Sequence, residues 1–486
     1  YENFRDNFFT NLQKAVAQNT AKQGQTFLNT KTQDAITFLQ LLTQKYDVAV
    51  ANPPYTDSAD FGPELKTFVD MNYKQPHKFN SNLYATFIKR CYELIDEQGK
   101  MALIHPLTFM YIKTFEDVRK FIIDKLHINV FVDYGLSNLF GSVMVDPAFY
   151  ILEKEKKSDS SWFISLDQYT RTPNEKFKKD FCLEALDDYL DNRSNKHNIS
   201  LPQDKLKFIE GWPFIYWISD RFREKFKAKV LEDISDAKAG IQTGDNDRFS
   251  RFWWELDKDT ISDNYSEDIR KWVGYSKGGP YSKWFGNLWL KLNWTNDGDE
   301  IRNHPGSVMR NEQYYFNTGI TYSASGSKGV SFRYLPNNCV FDVGGSSIFI
   351  KSDDISGSYL LGLMNSTLVL YIADCLNPTV NTQVGDLKRI PFVKPPTILE
   401  DNISALADEN VAIKKLLNSF HIIETNFEGN PVLAYTNAVL KDRLIGYLNF
   451  ENGQITQVLL NEAIINQLVF KVYDLSEEDS QQVESK

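Results

Sequence analysis

The run Tyr46–Ala51 constrains the fold more than any other feature, because it is largely apolar and is stopped by Asn52 and two prolines. Such a run predicts a buried strand, and proline ends it because proline cannot donate to a strand ladder and restricts the residue before it. A helical pattern over residues 82–95 follows, then Gly99 and a second apolar run over residues 101–104. The order strand, helix, strand predicts two parallel strands in one sheet.

The same order of elements continues downstream. A helical pattern over residues 115–126 precedes apolar runs over residues 128–133 and 148–152. Four strands with intervening helices make about half of an open α/β sheet. Residues 2–44 carry apolar positions at helical spacing, so helices are expected to lead into the first strand. We therefore predict the α/β class, with a partial Rossmann-like sheet.

The length of 486 residues exceeds what a single hydrophobic core serves, so several domains are expected. The composition turns charged after Lys154, becomes rich in tryptophan and other aromatics after Trp212, and returns to helical spacing beyond Pro396. We predict a helical lead-in over residues 1–45, a sheet region over 46–157, a connector over 158–210, a mixed α/β domain over 211–396 and a helical C-terminal region over 397–486.

Composition excludes some classes of protein and leaves the partner open. The four cysteines lie far apart and form no C-x-x-C pair, so we expect neither a zinc or other metal site nor a disulfide framework. No apolar run approaches the roughly 18 residues that span a bilayer, and residues 1–5 lack a signal pattern. We therefore expect a soluble, cytoplasmic protein with no membrane partner. The net charge of -10 argues against a nonspecific polyanion binder, although affinity for DNA depends on where the cations lie.

The two ends of the chain are unusual for a complete gene product. The sequence opens on Tyr1 instead of methionine and ends in a polar run over residues 477–486. We interpret it as an internal piece of a longer protein.

The tetrapeptide Asn52, Pro53, Pro54 and Tyr55 carries the chemistry that we predict. It lies at the carboxyl end of a parallel strand, where open α/β sheets bind ligands. The Asn52 side-chain carbonyl and the Pro53 backbone carbonyl can accept both hydrogens of a planar exocyclic amine, while Tyr55 stacks on its ring and Pro54 helps to hold the turn rigid. Both hydrogen bonds concentrate lone-pair density on the nitrogen, which favours attack on a methyl sulfonium. The alternative is a strand ended by a proline turn with an exposed tyrosine.

These residues resemble a known family of enzymes. Residues 46–55 resemble motif IV of the amino-methyltransferases that modify adenine N6, and residues 82–87 and 99–106 resemble the segments that follow motif IV. The resemblance implies that Phe140 is a second aromatic contacting a base rotated out of the duplex, although a lone phenylalanine before a strand is as readily a core residue. It also implies a site-specific methyltransferase that uses S-adenosylmethionine on double-stranded DNA.

The resemblance extends into the second half of the chain. The segments that resemble a target-recognition domain are residues 240–249, 277–279, 283–287, 306–315 and 377–390. This domain occurs in type II restriction-methylation fusion enzymes and in the PglX family of BREX phage defence. The spacing before the catalytic motif and the lack of a nuclease signature favour the BREX family, which implies other BREX or restriction-modification proteins as partners. Most of residues 46–395 is covered.

The second half also supplies cations that could contact DNA, since guanidinium and ammonium groups neutralise phosphates and bind guanine edges. The candidates are Arg248, Arg251, Lys277, Lys283, Arg310, Lys328 and Arg333. Each alone is as readily an ordinary surface charge. Residues 377–383, with Asn381, Thr382 and Gln383 after a helix, could present amides to adenine or phosphate, and the alternative there is a capped loop.

The main cofactor-binding motif is not found before Asp47, because no glycine-rich turn follows an earlier strand. A glycine cluster within residues 340–349 is followed by a β-like run and not by a helix. If the order of the family holds, the cofactor half lies upstream of Tyr1, and this piece alone should be inactive.

Two other functions remain open on sequence. Asp146 with Glu155 and Lys157 loosely mimics the metal site of a restriction endonuclease, a spacing that arises often by chance in a charged chain, so a fusion of methyltransferase and endonuclease is one alternative. A piece that only binds DNA is the other.

Overall fold

The computed structural model describes residues 2–21, 26–135, 137–140, 143–154, 159–166, 175–351, 354–436 and 439–485. The chain forms two compact units. The first unit is Tyr1–Met110 with Thr114–Lys207, and the second is Tyr111–Lys113 with Phe208–Lys486.

The first unit is built around a six-stranded sheet. Its helices are α1 (Glu2–Ala21), α2 (Thr26–Thr43), α3 (Pro63–Tyr73), α4 (Leu83–Leu94), α5 (Glu116–Lys125) and α6 (Glu175–Leu190). Its strands are β1 (Tyr46–Ala51), β2 (Ile95–Pro106), β3 (His127–Asp133), β4 (Ser137–Phe140), β5 (Val143–Val145), β6 (Pro147–Glu153), β7 (Ser160–Ser165) and β8 (Asn198–Pro202). The order in the sheet is β1-β2-β6-β3-β7-β8, and β4 pairs with β5. The predicted parallel pair, β1 with β2, is confirmed.

The sheet is mixed because β6 runs antiparallel between β2 and β3. Its middle is filled by aromatic rings: Tyr150 stacks on Phe131 with 5.5 Å between ring centroids, and Phe163 packs beside Phe131. All three side chains are buried, so they form a hydrophobic core at the centre of the sheet. The sequence predicted the position of β6 but not its direction.

Residues 158–210 differ from the predicted connector because they add β7 and β8 to the sheet. Strand β7 pairs parallel with β3, and β8 pairs antiparallel with β7. Phe163 and Ile164 of β7 are buried, and the Trp162 indole donates to Asn198 Oδ1 at 3.0 Å. The six apolar and small residues of β7 lie within a charged stretch, so regional composition concealed the strand.

Strand β1 is more exposed than the sequence predicted. It lies at the edge of the sheet, and the side chains of Val48 and Val50 are 58% and 76% exposed. Alternate residues of a strand point to the same face, so both valines lie on a face that no described residue of the first unit covers. The expected burial of this strand is therefore wrong in the described part of the chain, although its bounds are correct.

The second unit combines two four-stranded sheets with a helical layer. Its helices are α7 (Asp220–Lys225), α8 (Leu231–Ile234), α9 (Asn246–Phe249), α10 (Thr295–Arg302), α11 (Gly357–Met364), α12 (Thr367–Leu376), α13 (Val384–Lys388), α14 (Thr397–Asn418), α15 (Leu440–Val472) and α16 (Glu477–Glu484). Its strands are β9 (Ser235–Lys238), β10 (Ser250–Phe252), β11 (Trp272–Ser276), β12 (Leu290–Asn293), β13 (Gly319–Tyr322), β14 (Phe332–Leu335), β15 (Cys339–Phe341) and β16 (Ser347–Ile350). The sheets have the orders β10-β12-β11-β15 and β14-β13-β16-β9.

The C-terminal helices pack into the core of the second unit. Ile403 of α14 and Ile465 of α15 belong to the same buried cluster as Tyr359 and Leu368 of α11 and α12. Helix α15 runs without a break from Leu440 to Val472. Gly453 lies inside it, facing open space, so the glycine does not interrupt the helix.

No single helix among the described residues is long and apolar enough to cross a membrane. Helices α11 and α12 reach that length and composition only as a pair bent by 63°, and most of their residues are buried in the core of the second unit.

His105 is a buried histidine at the carboxyl end of β2. Its Nδ1 lies 2.9 Å from the Pro106 carbonyl oxygen, which can only accept, so Nδ1 carries the proton and donates. The other ring nitrogen, Nε2, therefore accepts from the Tyr150 hydroxyl at 2.6 Å. The Tyr84 ring stacks on the imidazole at 4.4 Å. Burial lowers the pKa of His105 from 6.5 to about 4, so the ring is neutral at neutral pH.

We expect His105 to make the first unit sensitive to acid. Between pH 6.5 and 4 the unfolded chain binds a proton that the folded chain does not, so the free energy of unfolding falls by about 1.4 kcal/mol per pH unit and by about 3 kcal/mol in all. Urea unfolding followed by circular dichroism from pH 7 to pH 4 measures this slope. In His105→Gln the slope should be shallower than in the wild-type protein. Equal slopes in wild type and His105→Gln would contradict the assignment.

Candidate functional site

The loop after β1 presents two oxygen acceptors and an aromatic ring. Asn52 follows β1 directly and is exposed, Pro53 is buried, and Tyr55 is half-buried. The Tyr55 hydroxyl donates to Asn52 Oδ1 at 3.0 Å. Burial raises the pKa of Tyr55 above its ordinary value, so the phenol stays protonated and remains a donor. A side-chain carbonyl oxygen has two lone pairs, so Asn52 Oδ1 can accept a second hydrogen bond.

Asn82 holds this loop from the start of α4. Its Nδ2 donates to the Tyr55 carbonyl at 3.4 Å, a long and therefore weak bond, and the neighbouring Leu83 amide donates to the Thr56 carbonyl at 3.0 Å. Asn82 Oδ1 accepts from the Tyr84 amide at 3.2 Å and caps the helix. One buried side chain thus serves both the helix end and the loop.

The stack of Tyr84 on His105 lies at the carboxyl end of β2. The parallel register places Ala51 beside Leu103, so the ends of β1 and β2 lie at the same edge of the sheet. The Tyr84 hydroxyl is 3.4 Å from Thr108 Oγ1. Neutral groups therefore support the loop, and the arrangement suits recognition of an uncharged planar amine. The sequence pointed to Asn82 and Tyr84 only through resemblance and missed the pairing of His105 with Tyr150.

Phe140 ends the short strand β4, and its side chain lies outside the described residues. Its proposed contact with the target base stays a prediction.

Two of the predicted DNA-contacting cations instead hold the second unit together. Arg333 is fully buried, and its guanidinium donates to the Ser282 carbonyl at 3.4 Å and to Ser323 Oγ at 3.2 Å. Burial lowers its pKa to about 10, which leaves it charged at neutral pH. Lys283 forms an ion pair with Glu462 at 3.1 Å. Arg333 is therefore not placed to contact DNA, and Lys283 is already paired.

The other five cations lie at the surface or partly so. Arg248 is exposed and 3.7 Å from Glu300. The Arg251 guanidinium donates to the Ser250 carbonyl at 2.7 Å and to the Asp247 carbonyl. The remaining three are Lys277 and Arg310, which are partly exposed, and Lys328, which is exposed.

The structure brings the resembling segments together in two groups. Residues 240–249 and 306–315 meet where Gln242 and Val308 exchange backbone hydrogen bonds at 3.0 and 2.8 Å. Residues 277–279 and 377–390 both contact the loop after β13. Ser323 Oγ donates to the Gly279 carbonyl, and the Gly326 amide donates to the Val380 carbonyl. Local sequence gave no sign of either grouping.

The glycine cluster between β15 and β16 does not form a cofactor turn. A Cβ on Gly345 would lie 2.4 Å from the Ser276 carbonyl oxygen, so the glycine is required by close packing of two backbone segments. A strand follows it and not a helix.

Of the three residues that suggested an endonuclease, the structure describes only Asp146. Asp146 is exposed, whereas Glu155 and Lys157 lie outside the described residues. In the described part of the chain, no group of three or more His, Cys, Asp or Glu side chains could hold a metal ion.

Comparison with known proteins identifies relatives of the chain. Residues 1–140 match the family model of the Eco57I restriction-modification methylase. The chain is 29% identical over 439 residues to the adenine-specific methyltransferase BrxX of Escherichia coli O9:H4 (strain HS), covering 89% of this chain and 34% of BrxX. It is 26% identical over 465 residues to the adenine-specific methyltransferase PglX of Lacticaseibacillus casei (strain Zhang), covering 92% of this chain and 38% of PglX. The chain thus spans little more than a third of the length of these relatives.

The fold is similar to that of a solved restriction-modification enzyme. The Type IIL enzyme MmeI in complex with DNA superposes with a TM-score of 0.53 and 11% identity, covering 90% of this chain and 57% of that chain. Residues 1–140 thus match the Eco57I methylase family model, and about nine-tenths of the chain is similar in sequence to the adenine-specific methyltransferases BrxX and PglX.

Proposed function

We propose that the full-length protein is a site-specific methyltransferase that modifies adenine N6 in duplex DNA, acting in BREX phage defence or in restriction-modification. The observation that carries the proposal is the loop at the end of β1, where Asn52 Oδ1, the Pro53 carbonyl and the Tyr55 ring lie within four consecutive residues. The relatives named adenine-specific methyltransferases and the DNA-bound fold relative support it.

The loop recognises the amino group through hydrogen bonds. Asn52 Oδ1 accepts one amino hydrogen while it also accepts the Tyr55 hydroxyl, and the Pro53 carbonyl accepts the other. With both hydrogens engaged, the nitrogen lone pair is directed away from the ring plane and becomes nucleophilic. The Tyr55 ring stacks on the base, which must leave the duplex to reach it.

S-Adenosylmethionine supplies the methyl group in this class of enzyme. The described residues do not fit the whole cofactor, since none of the strands of the first unit is followed by a glycine-rich turn into a helix. We therefore propose that the cofactor pocket of the full-length protein depends largely on residues outside this chain, and that this chain alone binds the cofactor poorly.

We expect Asn52→Ala to reduce methyl transfer by the full-length protein by about 100-fold or more, because one of the two amine acceptors is lost. The measurement is transfer of labelled methyl from S-adenosylmethionine to duplex DNA. Asn72→Ala, which changes an exposed asparagine of α3, is the matched control and should retain full activity. Undiminished transfer in Asn52→Ala would refute the mechanism.

We expect Tyr55→Phe and Tyr55→Ala to differ. Phenylalanine keeps the stacking surface and loses only the hydroxyl bond to Asn52, so the rate should fall a few-fold. Alanine removes the ring, and base stacking contributes about 1–3 kcal/mol, which corresponds to roughly 10- to 100-fold. The fluorescence of 2-aminopurine at the target position reports whether the base still leaves the duplex. Equal losses in both variants would argue against stacking.

We expect Asn82→Asp to slow transfer several-fold with little change in melting temperature. The aspartate keeps an oxygen that caps α4 but loses the amide donor to the Tyr55 carbonyl. Asn82→Ala should also lower stability by about 1 kcal/mol through loss of the cap. The test is kcat at saturating DNA measured beside the melting temperature. If kcat only follows the melting temperature across both variants, Asn82 is structural and does not position the loop.

A further inference from the structure

Three loops of the second unit meet at one surface, here called the three-loop surface: residues 277–287, 323–329 and 378–383. Ser323 Oγ donates to the Gly279 carbonyl at 2.9 Å, which joins the first loop to the second. The Gly326 amide donates to the Val380 carbonyl and the Thr382 amide to the Ala324 carbonyl, which joins the second loop to the third.

The composition of the three-loop surface is unusual for this chain. Its loops contain neither aspartate nor glutamate and three lysines, of which Lys283 is paired with Glu462, although the whole chain has 64 acidic residues and a net charge of -10. Two carboxylates that precede or follow these loops in the chain are engaged in hydrogen bonds. Asp342 is buried and accepts from the Tyr275 hydroxyl and the Gly344 amide. Asp386 is buried and accepts from Asn377 Nδ2 and Arg389. The surface is therefore suited to a polyanion.

The side chains available there suit duplex DNA. The tip of the first loop, residues 279–281, is exposed, as is the run from Ser325 to Gly329. Lys328 is exposed and can neutralise a phosphate, whereas the amides of Asn381 and Gln383 are exposed and can donate to and accept from base edges.

The first loop has a backbone that requires support. Gly278, Gly279 and Gly286 have positive φ, and so do Trp284 (φ 74) and Asn287 (φ 63). A bulky residue in this region costs free energy and persists only where its surroundings fix it. The Trp284 amide donates to the Phe332 carbonyl at 2.9 Å, and the Trp284 carbonyl accepts from Tyr334 at 2.8 Å.

A single carboxylate on α15 fixes the same part of the loop. Glu462 Oε1 accepts from the Trp284 indole at 2.7 Å, and Glu462 Oε2 pairs with Lys283 Nζ at 3.1 Å. The Glu462 and Lys283 side chains are only 20% and 15% exposed. Glu462 thus binds two consecutive residues of the loop whose tip is exposed.

We propose that the three-loop surface contacts duplex DNA and that Glu462 of α15 is a positioning residue for it. The role of the helical C-terminal region is then to hold the loop 277–287 in the conformation that contacts DNA. This inference rests on the proposed function and goes beyond it by naming the contact surface.

The first test is the affinity of the full-length protein for duplex DNA, measured by fluorescence anisotropy at several salt concentrations. We expect Lys328→Glu to weaken binding on the order of 10-fold and to lower the slope of log affinity against log salt by about one. Lys258→Glu, which makes the same charge change at an exposed lysine outside the three loops, should have a much smaller effect. Equal effects of the two variants would overturn the assignment of the surface.

The second test uses Glu462. Loss of a carboxylate near a polyanion should tighten binding if charge alone matters, whereas loss of the loop conformation should weaken it. We expect Glu462→Ala to bind DNA several-fold more weakly, with Glu462→Gln between it and wild type because glutamine can still accept from Trp284. Glu451→Ala, on the same helix and bonded to Tyr447, gives the effect of losing a carboxylate that does not bind the loop 277–287. Affinity in Glu462→Ala equal to or above that of Glu451→Ala would refute the positioning role.

The two proposals can fail separately. If the wild-type protein methylates adenine and Lys328→Glu binds DNA as tightly as wild type, the proposal for the three-loop surface is refuted and the proposed function stands. If Lys328→Glu binds DNA more weakly but the wild-type protein does not methylate adenine, the proposed function is refuted and the proposal for the surface stands.

Discussion

The parallel pairing of β1 with β2 is the constraint on which the candidate active site depends. Parallel neighbours end at the same edge of a sheet, so the loop that begins at Asn52 lies beside the end of β2 at His105. Asn82 then closes the loop from the helix that connects the two strands. The antiparallel β6 supports this edge from its other side, since Tyr150 bonds to His105. The acceptors of the loop are thus held by backbone pairing and neutral hydrogen bonds.

Much of the fold of the first unit could be predicted from the sequence. The bounds of β1 follow from a short apolar run ended by Asn52 and two prolines, and the parallel pair follows from the helix between the two strands. The direction of β6 could not be predicted, because the alternation of apolar residues is the same in either direction. Strand β7 could not be found because its apolar residues are too few to alter the composition of a charged region. The exposure of Val48 and Val50 depends on neighbours in space, which a local pattern does not specify.

The residues of the candidate site also fall into those that the sequence located and those that it did not. Asn52, Pro53 and Tyr55 are adjacent in sequence, so the motif itself placed them together. The recognition residues are scattered, and residue type alone did not separate Lys328, which is exposed, from Arg333, which is buried. The pairing of Trp284 with Glu462 joins residues 178 positions apart, and no local signal connects them. Contacts of this kind depend on the packing of α15 against α14, α12 and α11 and are visible only in the folded chain.

The exposed face of β1 has a consequence for handling the protein. A strand at the edge of a sheet is a template for pairing with another chain, and natural proteins often guard such edges with charges, prolines or bulges. Strand β1 has few of these protective features. Asp47 is its one charged residue, and the prolines come only after its last residue. Two valines on the uncovered face add apolar surface of the kind that promotes self-association. Elements of the full-length protein that cover Val48 and Val50 should therefore keep it dispersed, whereas residues 1–486 alone should be prone to self-association.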